Sequence, residues 1–211
     1  MTTPRPSLTE RRKAATLNEI SLAAAQLFAH QGAESTTAED IARSAGVSLR
    51  TFYRYFRTKE DAVAPLLANG VQHWLDELTA GPGELTVPQA LERSAGLALT
   101  PAPERPAAAL ELMRGILRAA QHDPDLLAVW HRVHHDSELE LAPVLAELAG
   151  TDVDPLELRL VAAAANTGMR VAMESWAASE APPEAAAELA ARCIRELTAG
   201  LHLWTTARPS N

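Results

Sequence analysis

Residues 36–60 read TTAEDIARSAGVSLRTFYRYFRTKE, and this stretch decides the fold. It contains two short helical patterns separated by a turn at Gly46. Thr37 and Asp40 have the spacing of a capping box, so the first helix begins there, and Ser48 caps the second. Gly46 can adopt the left-handed conformation that a tight turn requires. The stretch therefore predicts a helix-turn-helix, which places its second helix in the major groove of DNA.

The second helix of this motif carries side chains that can reach bases or phosphates. They are Ser48, Leu49, Arg50, Thr51, Tyr53, Arg54 and Tyr55. Arg50 lies near the helix N-terminus and is the best candidate for a bidentate contact to guanine, worth about 1–3 kcal/mol of discrimination. We expect Tyr53 and Tyr55 to contact the DNA backbone, with core packing as the alternative for both. Arg54 could serve either purpose.

Helical patterns continue through the rest of the chain, and no segment alternates with the period of a strand. The chain has 211 residues, of which 47% are hydrophobic and 4% aromatic, and alanine supplies about a fifth. We predict an all-α protein of about nine helices. Cys193, the single cysteine, excludes an internal disulfide. The longest stretches without charged residues have 14 residues, too few to cross a bilayer, and no signal sequence is recognisable, so we expect a cytoplasmic protein without a membrane partner.

Charge is distributed unevenly along the chain. The net charge is −8, which by itself argues against a nucleic-acid partner. Residues 1–61, however, hold nine Lys or Arg against seven Asp or Glu, whereas residues 62–211 hold ten against twenty. Both lysines, Lys13 and Lys59, lie in the first part. The two parts of the chain are therefore expected to have different functions.

The runs Thr36–Ala42, Ala45–Ser48, Thr51–Phe56 and Lys59–Glu60 together closely resemble the signature of TetR-family transcriptional regulators. The resemblance covers residues 8 to about 62. It implies a three-helix DNA-binding domain at residues 1–61 and a helical ligand-binding and dimerisation domain at residues 62–211. It also implies a repressor that binds a palindromic operator in double-stranded DNA and is released by a small lipophilic or anionic effector.

The resemblance assigns DNA contacts by position in the motif. The residues Ser48, Leu49, Arg50, Thr51, Tyr53, Arg54 and Tyr55 match the DNA-contacting recognition helix. Lys59 matches a phosphate-contacting lysine at the start of the fourth helix. Thr37 matches the N-terminal end of the second helix, where free backbone N–H groups can hold a phosphate.

The last two helices have patterns suited to helix packing. Ala162–Ala165, Gly168 and Ala172 allow close approach of backbones, and the residues Leu189, Cys193, Leu197, Leu201 and Trp204 share one face. Two such helices per subunit could form a four-helix homodimer interface, as in the resembled family. Burial inside one subunit is the alternative.

The helices between residues 59 and 148 must enclose any ligand pocket. Trp130 and His134 lie on the apolar face of one helix and are expected to point inward, and Trp74, Met113 and Met169 could add wall area. Asn166 and Arg170 are polar groups on a largely apolar helix. They could orient an anionic or hydrogen-bonding effector, although core or surface positions are the plainer alternative for each candidate.

Other classes of function find little support in the sequence. It contains no nucleophile elbow and no phosphate-binding glycine loop, so we expect no enzyme activity and no cofactor. His131 and His135 are spaced to share a metal ion, but no further ligand supports a site and none is expected. The remaining alternative is a TetR-like regulator with a vestigial pocket, controlled by a protein partner.

Overall fold

The computed structural model describes residues 7–103, 106–150 and 153–199, and this part of the chain is all-α, as predicted. It contains nine α-helices and one 3₁₀ turn. The helices are α1 (Leu8–Gln31), α2 (Ala38–Ser44), α3 (Leu49–Tyr55), α4 (Ala64–Thr79), α5 (Val87–Leu99), α6 (Ala107–Ala120), α7 (Pro124–Ala149), α8 (Pro155–Ala178) and α9 (Glu184–Thr198). No helix of the described part is long and apolar enough to cross a membrane.

The predicted caps determine where the first helices begin. Ser7 and Thr37 each form a complete capping box, with Glu10 and Asp40 respectively, and the Ser48 hydroxyl accepts a hydrogen bond from the Thr51 N–H. Gly46 has a φ of 66°, which a residue with a Cβ adopts only under strain. The turn between α2 and α3 is therefore the tight one that the sequence predicts.

The fourth helix begins later than its sequence suggests. Thr58 and Asp61 read as a capping box, but residues Glu60–Val63 form a 3₁₀ turn, and α4 starts at Ala64 with a proline in its first turn. The Thr58 hydroxyl does accept from the Asp61 N–H at 3.1 Å. The Asp61 carboxylate instead pairs with Arg132 of α7 at 2.6 Å, so a tertiary ion pair replaces half of the expected box.

The helices surround one continuous core that runs through both predicted domains. Helix α1 packs on α2 and the 3₁₀ turn, and also on α4 and α6. Farther along, α4 packs on α5 and α7, while α9 packs on α5 and α8. The proposed boundary at residues 61 and 62 falls inside the 3₁₀ turn, so the two predicted domains share α1 as a packing surface.

Four of the six small residues predicted on α8 are buried inside the subunit, while Ala163 and Ala164 are half-buried. Ala162, Ala165 and Ala172 are at most 1% exposed, and a Cβ added to Gly168 would lie 3.0 Å from the Ile194 backbone N. Gly168 therefore lets α9 approach α8 of the same chain. The buried small residues serve packing inside the subunit, which is the alternative to their use between subunits. Leu201 and Trp204 of the predicted α9 stripe lie outside the described residues.

Helices α1 and α6 cross at unusually short range. Gly115 of α6 faces Ala29 of α1, and a Cβ added at Gly115 would overlap the Ala29 Cβ and lie 2.9 Å from its Cα. The overlap includes the backbone of Ala29, which cannot rotate away as a long side chain can. The crossing thus requires glycine at residue 115.

Gly115→Ala is expected to lower the free energy of unfolding by up to about 2 kcal/mol. Overpacking costs about 1–3 kcal/mol, and the gain in helix propensity of about 1 kcal/mol offsets only part of it. Urea unfolding followed by circular dichroism measures the change. The matched control is Gly96→Ala in α5, where the nearest atom to a new Cβ is 3.9 Å away and stability should stay constant or rise. Equal effects of the two substitutions would contradict a tight α1–α6 crossing.

Candidate functional site

Helix α3 is held by its aromatic residues and exposes its basic ones. Phe52 is fully buried and Phe56 is 5% exposed, and their rings pack 5.6 Å apart. On the opposite side Arg50 and Arg54 are exposed, and Tyr53 is 55% exposed. The three side chains can therefore reach a DNA groove without any change in the core.

Three other candidates of α3, Leu49, Thr51 and Tyr55, are only half-exposed, whereas the capping residue Ser48 is exposed. Leu49 and Tyr55 are partly buried and pack against the core. The Arg54 guanidinium lies 4.9 Å from the centre of the Tyr55 ring and donates to the Tyr55 hydroxyl at 3.4 Å. Tyr55 thus contributes to packing, the alternative considered for it, and also holds Arg54 in place.

Three hydroxyl groups predicted to contact DNA already have partners. Ser48 Oγ lies 2.9 Å from Thr51 Oγ1, and Thr37 Oγ1 donates to Asp40 Oδ2 at 2.6 Å. The hydrogen bonds from the Thr37 hydroxyl and backbone N–H hold the pKa of the Asp40 carboxyl below its usual value. Asp40 is therefore charged at neutral pH, and its negative charge at the N-terminus of α2 competes with a phosphate for the same donors.

Lys59 has a structural role that its place in the motif does not reveal. Its Nζ donates to the backbone carbonyl oxygens of Ala33 at 2.6 Å and Thr36 at 2.9 Å, and lies 3.6 Å from Glu60 Oε1. The ammonium group therefore ties the start of the 3₁₀ turn to the loop between α1 and α2. A phosphate contact from Lys59 would have to share or replace these acceptors.

A cavity of about 570 Å³ lies among α1, α4, α5, α6, α7 and α8. Five of the seven predicted ligand-binding residues line it: Trp74, Met113, Trp130, His134 and Met169. Leu22 and Gln26 of α1 also line it, so the helix that packs on the helix-turn-helix forms part of the wall. Its volume is within the range of small-molecule sites, and its lining is mostly apolar.

Asn166 lies behind the wall and orients a residue in it. Its Nδ2 donates to the His134 carbonyl oxygen at 2.9 Å, and its Oδ1 lies 3.1 Å from His134 Nδ1. Both residues are buried. Asn166 therefore positions the imidazole, although it does not line the cavity.

Arg170 also lies outside the cavity lining and has an ionic partner. It binds Glu174 at 2.9 Å, and the same carboxylate accepts a hydrogen bond from Trp130 Nε1 at 2.8 Å. The Trp130 ring in turn packs edge-on against His134, with 4.1 Å between ring centres. The arrangement neutralises Arg170 and fixes Trp130, which does not favour the predicted contact between Arg170 and an anionic ligand.

Burial controls the charge of His134. Removal from water lowers the pKa of the imidazole from 6.5 to about 4, and Arg170 adds to this effect, while Asn166 and Glu174 oppose it. The side chain is therefore neutral at pH 7. The cavity offers a hydrogen-bonding ring at this position, not a cation.

Some lining residues were not among the predicted site residues. Ser137 is three residues after His134 on the same face of α7, and this spacing could have identified it. Leu22, Gln26, Asn69 and Met173 carry no comparable signal, because their places in the wall depend on how distant helices pack. The described residues contain no group of three or more His, Cys, Asp or Glu arranged to hold a metal ion.

Comparison with known proteins places these features in a family. Residues 20–64 match the family model described as "Bacterial regulatory proteins, tetR family". The chain is 28% identical over 174 residues to the HTH-type transcriptional regulator TcmR of Streptomyces glaucescens, covering 81% of this chain and 77% of TcmR. The match to the family model spans all of α2 and α3 and ends at the start of α4.

Solved structures share the whole fold. The TetR family repressor AlkX from Dietzia sp., implicated in biodegradation of n-alkanes, has a TM-score of 0.54 at 21% identity, with 88% of this chain and 97% of AlkX covered. A TetR-family transcriptional regulator from Syntrophomonas wolfei has a TM-score of 0.63 at 17% identity, with 89% and 97% covered. At these identities the likeness establishes the fold alone.

The neutral, buried His134 predicts a loss of stability in acid. The unfolded chain binds a proton near pH 6.5, whereas folded His134 binds one only near pH 4, so the free energy of unfolding falls as the pH drops between these values. The full contribution is roughly 3 kcal/mol. Urea unfolding at pH 7.5, 6, 5 and 4.5 would measure it.

The comparison that isolates this contribution uses the variant His134→Gln, which does not titrate. His131, Arg170 and Glu174 surround the ring and stay in place in the variant. The wild-type protein should lose about 2–3 kcal/mol more than the variant between pH 7.5 and 4.5. Parallel pH profiles for the two proteins would show that burial does not control the charge of His134.

Proposed function

Because the chain is a TetR-family transcriptional regulator, we propose that it binds a palindromic operator as a homodimer and represses transcription until a small, largely apolar effector enters the cavity. One observation carries this proposal: helix α1 packs on the helix-turn-helix and also lines the cavity. An event in the cavity can therefore reach the DNA-binding helices through one helix.

The exposed cations of α3 support DNA binding by an acidic protein. Arg50, Tyr53 and Arg54 project from the recognition helix, and Arg57 follows it, also exposed. Acidic residues outnumber basic ones in the part of the sequence that follows residue 61, which does not include this helix. In our proposal Arg50 contacts base edges, while Tyr53 and Arg54 contact the DNA backbone and so position the helix. The half-buried Thr51 and Leu49 make smaller contributions.

An exposed apolar stripe supports a homodimer through the last two helices. On α8, Leu156, Leu160 and Val171 share one face and are 60%, 47% and 38% exposed. Leu197 of α9 is 44% exposed, and the predicted stripe residues Leu189 and Cys193 are half-buried. We place the dimer interface on this outward face, because most of the predicted small residues of α8 are already buried inside the subunit.

Two contacts support coupling between cavity and DNA-binding helices. Leu112 and Met113 of α6 line the cavity, and Gly115 of the same helix touches α1. The Asp61–Arg132 ion pair joins the 3₁₀ turn to α7, which carries His134. An effector that displaces α6 or α7 therefore changes the position of the helix-turn-helix relative to the bundle.

The size of the cavity helps to choose between a small-molecule effector and the alternative, a vestigial pocket with control by a protein partner. A cavity of about 570 Å³ with a mostly apolar wall is large enough for a drug-sized ligand. This observation favours a small-molecule effector.

Arg50→Ala is expected to relax base preference at one operator position by about 1–3 kcal/mol, because it removes a bidentate contact to guanine. Selection from a random duplex pool defines the operator, and fluorescence anisotropy then measures binding to operator and scrambled DNA over a salt series. The control is Arg93→Ala on the exposed face of α5, which should bind as the wild type does. If Arg50→Ala prefers operator over scrambled DNA as strongly as the wild type does, Arg50 does not contact a base. If the wild type prefers no duplex, the proposed function is wrong.

The variant Lys59→Ala in the same assay separates a phosphate contact from a structural one. A direct phosphate contact predicts weaker binding to all sequences and a salt dependence lower by about one released ion. The two carbonyl contacts of Nζ also predict lower stability, by about 1–3 kcal/mol. A loss of stability with an unchanged salt slope would leave Lys59 with the structural role only.

Leu160→Asp is expected to raise the dissociation constant of the dimer on the order of 100-fold, since it buries a carboxylate without a partner. Sedimentation equilibrium measures the constant. Leu139→Asp on α7 is the matched control, because Leu139 is 62% exposed and lies off the proposed interface. A dimer that tolerates Leu160→Asp would place the interface elsewhere.

A further inference from the structure

Three side-chain polar atoms of the cavity wall are buried without a hydrogen-bond partner, and two of them belong to residues that are buried as a whole. These two are His134 Nε2 and Ser137 Oγ, from residues that are 4% and 1% exposed, and both residues line the cavity. Buried polar side-chain atoms in folded proteins are almost always hydrogen-bonded. The pair therefore marks the place where this wall can recognise a polar group of a ligand.

The hydrogen bonds of Asn166 determine what His134 can offer. The His134 carbonyl can only accept, so the group facing it must be the Asn166 NH₂, and Oδ1 faces the ring. Since Oδ1 can only accept as well, His134 Nδ1 carries the proton. Nε2 then has a lone pair and is a hydrogen-bond acceptor. Burial supports this assignment because it keeps the imidazole neutral.

The other polar groups of the wall are hydrogen-bonded, lie beside a carboxylate or are exposed. Trp130 Nε1 donates to Glu174, and Trp74 Nε1 donates to Ser94 Oγ at 3.0 Å. His73 Nε2 is buried without a hydrogen bond, but Glu77 Oε1 lies 3.7 Å from it. Gln26 and Asn69 are exposed, at the opening of the cavity. His134 and Ser137 are thus the pair that is both buried and free to bind.

The charge of the wall limits the class of ligand. Among the described residues that line the cavity, none is Asp, Glu, Lys or Arg. Arg170, the residue predicted to bind an anion, does not line the cavity and is paired with Glu174. An ionised ligand would therefore lose its hydration without gaining a counter-ion, which is strongly unfavourable.

We propose that the cavity binds a neutral, largely apolar molecule with a hydroxyl group, whose O–H donates to His134 Nε2 and whose oxygen accepts from the Ser137 hydroxyl. Leu67, Trp74, Met113 and Met169 contact the apolar body. This inference rests on the proposed function, since it takes the cavity as the effector site. It selects a neutral ligand over the anionic one that Arg170 suggested.

The test uses three sets of probes, each with one apolar frame. The sets are naphthalene, 2-naphthol and 2-naphthoate; biphenyl, 4-phenylphenol and 4-phenylbenzoate; and adamantane, 1-adamantanol and 1-adamantanecarboxylate. Binding to the full chain at pH 7.5 is followed by tryptophan fluorescence, since Trp74 and Trp130 are in the wall, and by calorimetry. On at least one frame the hydroxyl probe should bind about tenfold more tightly than the hydrocarbon, and at least tenfold more tightly than the carboxylate.

Variants then assign the preference to the two atoms. His134→Leu should remove the hydroxyl preference, and Ser137→Ala should reduce it. His135→Leu is the matched control, because His135 is the adjacent residue and is exposed. If His134→Leu does not fold, ¹⁵N–¹H correlation spectra of the wild-type imidazole replace it, and a proton on Nε2 of His134 would overturn the proposal.

Three outcomes of the probe series contradict the inference. The first is a carboxylate that binds as tightly as the hydroxyl probe. The second is a hydrocarbon that binds as tightly as the hydroxyl probe on every frame. In both cases, probes that still release the operator would leave the proposed function intact. If no probe binds on any frame, the inference falls together with the effector role of the cavity, while operator binding is judged from its own assay.

Discussion

The double burial of α1 is the constraint on which the rest of the structure depends. One face of this helix, including Ile20 and Phe28, is buried in the core that holds α2 and α3. Another face meets α6 at Gly115, where no side chain fits. A helix packed this closely on both sides cannot move relative to one partner without disturbing the other, because protein interiors have little free volume. The DNA-binding helices and the cavity therefore share a rigid element.

The second constraint is electrostatic and separates the two ends of the molecule. Exposed guanidinium groups on α3 interact with solvent at little cost and can exchange it for phosphates or base edges. Inside the bundle the same group is tolerated only with partners, as Arg170 shows by binding Glu174. The cavity wall is left with neutral polar atoms. In the proposed function, charge therefore serves DNA recognition on α3, whereas neutral hydrogen bonds serve ligand recognition in the cavity.

Local features of the sequence predicted the helices and the exposed side of α3, because caps and helical periodicity act over a few residues. The Ser7, Thr37 and Ser48 caps and the Gly46 turn are found as predicted. The partners of Lys59 and Asp61 are instead determined by tertiary contacts. Lys59 turns to two carbonyls that are 26 and 23 residues away, and Asp61 leaves its expected box for Arg132, 71 residues away. Partners at such separations leave no periodic signal in the sequence.

The same distinction explains why inward-facing residues were easier to predict than their roles. Periodicity identified Trp130 and His134 as inward, and both line the cavity. It could not tell that Asn166 binds both the carbonyl and the ring of His134, because that bond joins α7 to α8 across 32 residues. Yet this contact fixes which ring nitrogen is protonated, and hence whether the wall accepts or donates. The hydrogen-bonding character of His134 is thus set by a residue behind the cavity surface. If the cavity holds the proposed ligand, changing Asn166 alters ligand preference without touching the ligand.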